Sequence, residues 1–126
     1  MTQLLTPGDG QDIVERFERA HTNRDPDEVM DVFGERIEYH PDPFEPPLLG
    51  RIEVRAYWNG LVERQTAVTF EVQRVWVVGR TVLFSWHGGY RREDVSDRIA
   101  AEGFVTIEVG AAGLIRRVRE WTLTDR

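Results

Sequence analysis

From residue 67 to the C-terminus the chain is almost continuous strand, and no other feature limits its fold so tightly. Over 67–78, Val68, Phe70 and Val72 alternate with polar residues; Trp76 and Val78 resume the pattern after Arg74, a break that predicts a β-bulge. Gly79-Arg80 reads as a two-residue turn into 81–91, where Val82, Phe84, Trp86 and Tyr90 share a face. A charged loop holding Asp94 and Asp97 is expected over 92–97. The next strand, 98–109, places Ile99, Ala101, Gly103, Val105, Ile107 and Val109 on one side. The turn Gly110-Ala111-Ala112-Gly113 then leads into a last strand over 114–124. Four strands with short links make an antiparallel meander, and its apolar face needs a cover.

The cover precedes it in the chain. After a tail over residues 1–8, with Thr6-Pro7 as a helix-start signal, Ile13, Val14, Phe17 and Ala20 fall on one face of a helix from Asp9 to Asn23, with His21 beside that face. Asp25-Pro26, with Glu28 following, predicts the start of a second helix that buries Val29, Val32 and Phe33 and stops at Gly34. A third helix, Arg51 to Arg64, puts Val54, Tyr57, Trp58, Leu61 and Val62 on one face. Gly60 inside it costs about 1 kcal/mol relative to alanine, which predicts close packing there. With a short strand at 36–40, the order of elements gives one α+β domain over residues 1–126. Its helices cover one side of a curved sheet in a cone-shaped barrel that encloses an apolar pocket.

The stretch from Arg36 to Trp58 carries the first chemical signal. A strand ends at His40; Pro41, Pro43, Pro46 and Pro47 stiffen the loop that follows; and Gly50 opens the helix bearing Tyr57 and Trp58. A titratable imidazole beside large aromatic side chains suits a small apolar ligand.

Composition removes several chemistries. The 126-residue chain has no cysteine and no lysine, which excludes disulfides, thiolate nucleophiles, thiolate metal sites and Schiff bases. A net charge of -6 with scattered arginines argues against nucleic acid. No apolar run reaches the ~18 residues a membrane span requires, and Met1 to Gly10 has no apolar leader segment, so a cytoplasmic location is expected. His40 and Asp42 are too few for a metal site, and no cofactor is expected.

Three local words fit one known family. Asp25-Pro-Asp-Glu-Val-Met-Asp-Val-Phe33, Gly50-Arg-Ile-Glu-Val-Arg-Ala-Tyr-Trp58 and Gly113-Leu-Ile-Arg-Arg-Val-Arg-Glu-Trp121, in this order and spacing, resemble the SnoaL-like members of the nuclear-transport-factor-2-like superfamily. The resemblance implies a cone-shaped barrel with a deep apolar pocket, often dimeric through the sheet. The fold hosts isomerases, dehydratases, cyclases, epoxide hydrolases and carriers, so function has to be read from the site. Ketosteroid isomerases carry an acid-proline pair at the position of His40-Pro41 and a tyrosine in the first helix, where this chain has Phe17. SnoaL-type cyclases and limonene-type epoxide hydrolases have a carboxylate in the last strand at the position of Glu120. The epoxide hydrolases also need an arginine and an aspartate on the preceding strand, and Phe84-Ser85-Trp86-His87 has neither.

The resulting expectation is a cofactor-free enzyme moving a proton on an apolar cyclic or polyketide-like molecule, in a cyclisation, isomerisation or dehydration. His40 would be the base and Glu120 its partner acid, with Phe17, Trp58, Trp86 and Tyr90 lining the pocket. The alternative is a non-catalytic binding domain for a hydrophobic small molecule. Other readings of the residues stay open: His40 satisfying loop amides near Asp42, Glu120 paired on the surface with Arg117 or Arg119, and the aromatics as core. Alternation in the last strand leaves Glu120's direction undecided, and only one of Trp86 and His87 can face the pocket. Val75, Trp76 and Val77 make a strand apolar on both faces, which predicts a homodimer through the outer face of the sheet.

Overall fold

Thr6 sets the start of the first helix: its hydroxyl accepts from the Asp9 amide while the Asp9 carboxylate accepts from the Thr6 amide, a reciprocal capping box ahead of Pro7. The structure, a computed structural model, describes residues 4–93 and 95–126, so Asp94 of the expected charged loop lies outside the described residues. The elements run α1 (Pro7–Asn23), α2 (Asp27–Met30), β1 (Phe33–His40), β2 (Leu48–Leu49), α3 (Gly50–Arg64), β3 (Thr66–Val78), β4 (Thr81–Arg92), β5 (Val95–Val109) and β6 (Ile115–Thr124). The charged connection after β4 is therefore shorter than the loop expected over 92–97.

The strands form one sheet in the order β2-β1-β6-β5-β4-β3. All neighbours are antiparallel except β1 and β6, which run parallel. The curved, mostly antiparallel sheet with the N-terminal helices against it is the expected α+β architecture; β2 and β3 are at opposite edges and do not pair, so the sheet is unclosed. The helices occupy its inner face. Phe17 of α1 is the hub: its ring is wholly buried and lies 6.0–6.3 Å from the rings of Phe33, Trp58 and Phe84. Val14, Ala20, Val54, Ile37, Val82, Val105, Ile107 and Val118 belong to the same core.

The second helix is a single turn, not the longer helix expected through Phe33. The strand ladder takes the chain away: Phe33 is in register with Ile115 in β6, and the Ile115 amide donates to the Val32 carbonyl at 2.8 Å. Arg51, at the start of α3, holds this corner by donating to the carbonyls of Met30 and Phe33, each at 2.6 Å. The proline loop likewise contains a strand that was not expected, β2, with Leu48 opposite Tyr39.

Two bulges decide which side chains face inward. In β3 the register shifts between Val72 and Arg74, as the break at Arg74 predicts. The Val72 amide is satisfied by the Glu18 carboxylate of α1 at 2.9 Å, and beyond the bulge Val75 packs on the core. Trp76 faces out and stacks on Phe104. In β6 the ladder shifts between Glu108–Arg117 and Val109–Ile115, so that Ile115 and Val118 are both buried despite their odd spacing. Val118 and Glu120 therefore share the inner face with Ile115, while Trp121 and Leu123 face out. At the first turn of α1, Gly10 packs tightly: a Cβ there would sit 2.4 Å from Val77 Cγ2. Gly60 differs from expectation. The atoms nearest to a Cβ there belong to the guanidinium of Arg64, in the same helix.

Candidate active site

Tyr39 and Glu120 meet on the inner face because β1 and β6 are parallel neighbours. With Tyr39 opposite Val118, the Tyr39 hydroxyl reaches the next inward residue of β6 and donates to Glu120 Oε2 at 2.6 Å. Tyr39 shares its inward parity with Ile37 and is fully buried. Beside the pair lies a cavity of about 180 Å³, lined among others by Glu120, Tyr57, Tyr90, Trp86, His21 and Pro41.

Glu120 is the chemical centre of this cavity. Burial pushes its carboxyl up to about 7, and the Tyr39 hydrogen bond pulls in the opposite direction by favouring the carboxylate. Glu120 is partly accessible and lines the cavity, and desolvation is the larger influence on its ionisation. Among the described residues its hydrogen-bond partner is Tyr39; Arg117 is held by Glu38 and Glu108, and Arg119 lies over the ring of Trp121. Among the described residues Glu120 makes no ion pair with Arg117 or Arg119. Burial, and next the Glu120 charge, push the Tyr39 and Tyr57 hydroxyls well above their ordinary range, so both remain donors at any working pH.

His21 lines the same space from the last turn of α1. Its ring stacks on Phe70 at 4.2 Å and 10°, and lies 4.7 Å from Trp58. Burial pushes it down to about 4, so the imidazole is neutral at pH 7. The cavity thus holds a carboxyl that exchanges its proton near neutrality, a neutral imidazole and phenolic donors within aromatic walls. Environments that drive titratable groups apart in this way are typical of acid–base sites.

His40 stands elsewhere. It shares the outer face of β1 with Glu38, whose carboxylate oxygen Oε2 is 3.3 Å from His40 Nε2 and 3.0 Å from Arg117 Nε. The expected pairing of His40 with Glu120 is therefore not made. Strand parity is the reason: Tyr39 and Pro41 point to the inner side of the sheet, where Pro41 lines the cavity, and the histidine between them cannot. Trp86 and Tyr90 line the cavity, whereas Phe17 and Trp58 are core residues behind it. The Trp58 indole N–H is buried without a partner of hydrogen-bond geometry, although it still weakly favours ionisation of the nearby Tyr39 hydroxyl. His87 faces outward to Glu71 at 2.9 Å, which leaves the inner face to Trp86. Sequence reasoning missed Tyr39 and His21. The parity of Ile37, Tyr39 and Pro41 pointed to the first, and the position of His21 one turn after Phe17 pointed to the second.

A larger concavity lies elsewhere. A groove of about 810 Å³ runs along the outer face between the proline loop and Phe104, Trp121 and Leu123. Its carboxylates, Asp42 and Glu102, are exposed, so it lacks the desolvated acid that makes the inner cavity chemically distinctive. Among the described residues no cluster of three or more potential metal ligands occurs, and no helix is long and apolar enough to cross a membrane.

Solved structures place this geometry in context. An LEH-like epoxide hydrolase from M. tuberculosis superposes with a TM-score of 0.72 at 23% identity, covering 92% of this chain and 84% of its own. SalBIII, an epoxide hydrolase/cyclase-like enzyme of pyran ring formation in the polyether salinomycin, gives 0.80 at 18% identity and 92% coverage of both chains. A protein of ketosteroid isomerase-like fold from Catenulispora acidiphila DSM 44928, in complex with trimethylamine, gives 0.79 at 14% identity, with 93% and 86% covered. At such identities the likeness is one of fold. No curated protein matches the chain in sequence. The SnoaL-like domain model matches residues 14–118, most of the chain, and the chain belongs to the SnoaL-like family.

Proposed function

We propose that this protein is a cofactor-free enzyme that transfers a proton on a compact, largely apolar molecule, as the first step of an isomerisation, cyclisation or dehydration. Glu120 takes and returns the proton, and the Tyr57 hydroxyl steadies negative charge developing on a substrate oxygen. One observation carries the reading: a carboxyl raised to about 7 by burial, oriented by Tyr39 and facing a cavity. A group half-protonated near neutrality serves as acid or base with little driving-force penalty. Size narrows the substrate. A cavity of about 180 Å³ is close to the ~150 Å³ that accommodates benzene, which favours a single ring over a polyketide-like skeleton.

The test is exchange of the α-protons of cyclohexanone in deuterated buffer, followed by proton NMR. The purified protein should accelerate exchange, and Glu120→Gln should lower that acceleration by about 100-fold or more. Wild-type protein no faster than buffer would end the catalytic reading for this substrate class. The outward position of His40 favours the alternative, a domain that binds the molecule without converting it, and that same result would support it.

The proposal includes a homodimer through the outer face of the sheet. Phe44, Phe104, Trp121 and Leu123 are exposed apolar side chains around the outer groove, and burying such a patch against a second copy would remove it from water.

A further inference from the structure

We infer that His21 is a second ligand-contacting residue of the cavity, holding the hydroxyl or carbonyl oxygen of a single-ring molecule whose proton Glu120 handles. This rests on the proposed site and extends it to a residue outside the β1–β6 pair.

The geometry comes from three elements. α1 delivers His21 to the cavity, α3 supports it with Trp58, and β3 supplies Phe70, which in turn stacks on Trp86 at 4.6 Å. The imidazole is thus fixed in a wall of flat rings, with its plane set by Phe70. Among the described residues neither ring nitrogen has a hydrogen-bond partner, although both His21 and Glu120 line the same cavity. His21 is partly exposed and lines the cavity, so its nitrogens are open to water or to a ligand there. The neutral imidazole has one donor and one acceptor nitrogen, which suits a hydroxyl or carbonyl oxygen and not a carboxylate, for which a cation would be needed. His21 and Glu120 enter from helix and sheet, so a ligand oxygen between them is held from two sides while its ring rests against Trp86 and Phe70.

The experiment compares para-fluorophenol with its near-isostere para-fluorotoluene, which lacks the oxygen, by fluorine NMR titration. Wild-type protein should bind the phenol more tightly. His21→Phe keeps the flat ring and should weaken phenol binding about tenfold while leaving toluene binding unchanged, as expected for one lost hydrogen bond. His21→Gln, which restores donor and acceptor atoms, should recover part of the loss, and it decides the matter if the Phe variant does not fold. An undiminished phenol preference in His21→Phe, or an equal loss for both probes, would show that the nitrogens serve only water or that the ring serves only packing, and would overturn the inference. In that event cyclohexanone exchange by Glu120 could still persist, so the two readings fail separately. If neither probe binds wild-type protein, the cavity is not a ligand site and both readings fall.

Discussion

Tyr39 donates to Glu120 at 2.6 Å across the one parallel strand pair of the sheet, and His40, the next residue, turns to Glu38 on the opposite face. A one-residue difference in parity therefore separates the buried acid–base group from the surface ion network. Glu120 draws its character from that burial and from the single hydroxyl beside it.

Removing the hydroxyl should expose the burial effect alone. In Tyr39→Phe the carboxylate loses the donor that favours its charged form, so Glu120 should titrate above its present value of about 7. A rise of about one unit corresponds to a charge-assisted hydrogen bond worth roughly 1.4 kcal/mol. Carbon-detected NMR titration of labelled glutamate carboxyls would measure it; an unchanged or lower value would show that Tyr39 does not tune the acid.

Glu120 and His21 should act oppositely on stability. Glu120 rises from 4.5 to about 7 on folding, so its contribution is fully present below about 4.5 and is lost as pH rises through 7. His21 falls from 6.5 to about 4, so its contribution is present above 6.5 and is lost as pH falls through 4. Between these limits the two slopes, each about 1.4 kcal/mol per pH unit, offset one another in the wild type. Glu120→Gln should therefore gain stability from pH 4 to 6.5, and His21→Phe should lose it from 4.5 to 7. Urea denaturation across this range would reveal the opposed slopes, and parallel curves for the two variants would contradict them.

Gly10 and Gly60, both within helices, should respond differently to a methyl group. Gly10→Ala drives a Cβ to 2.4 Å from Val77 and should destabilise by about 1–3 kcal/mol. Gly60→Ala displaces only the Arg64 guanidinium and should stabilise by about 0.5–1 kcal/mol through helix propensity. Thermal melts of the two variants should shift in opposite directions.

The proposed dimer can be tested at the outer sheet. Trp121→Glu or Leu123→Glu places a charge in the exposed apolar patch, on residues that do not belong to the buried core. Light scattering should show a dimeric wild type and monomeric variants with little change in melting temperature. A monomeric wild type would leave the patch without this role.

Much of the architecture was legible in the chain because it is encoded locally. Period-2 alternation marked the inward residues Val82, Phe84, Val105 and Ile107, the break at Arg74 located the β3 bulge, and Thr6-Pro7 marked the start of α1. Three words placed the chain in its family, and composition alone removed thiol and lysine chemistry. What alternation cannot supply is the identity of the core-facing side, because that depends on partners distant in sequence. The β6 register shift put Ile115, Val118 and Glu120 on one face, and the parallel pairing of β1 with β6 joined two residues 81 positions apart. Local pattern fixed which residues travel together along each strand. Only the assembled fold decided that Glu120 and His21 face the cavity, with Tyr39 buried behind Glu120, while His40 does not.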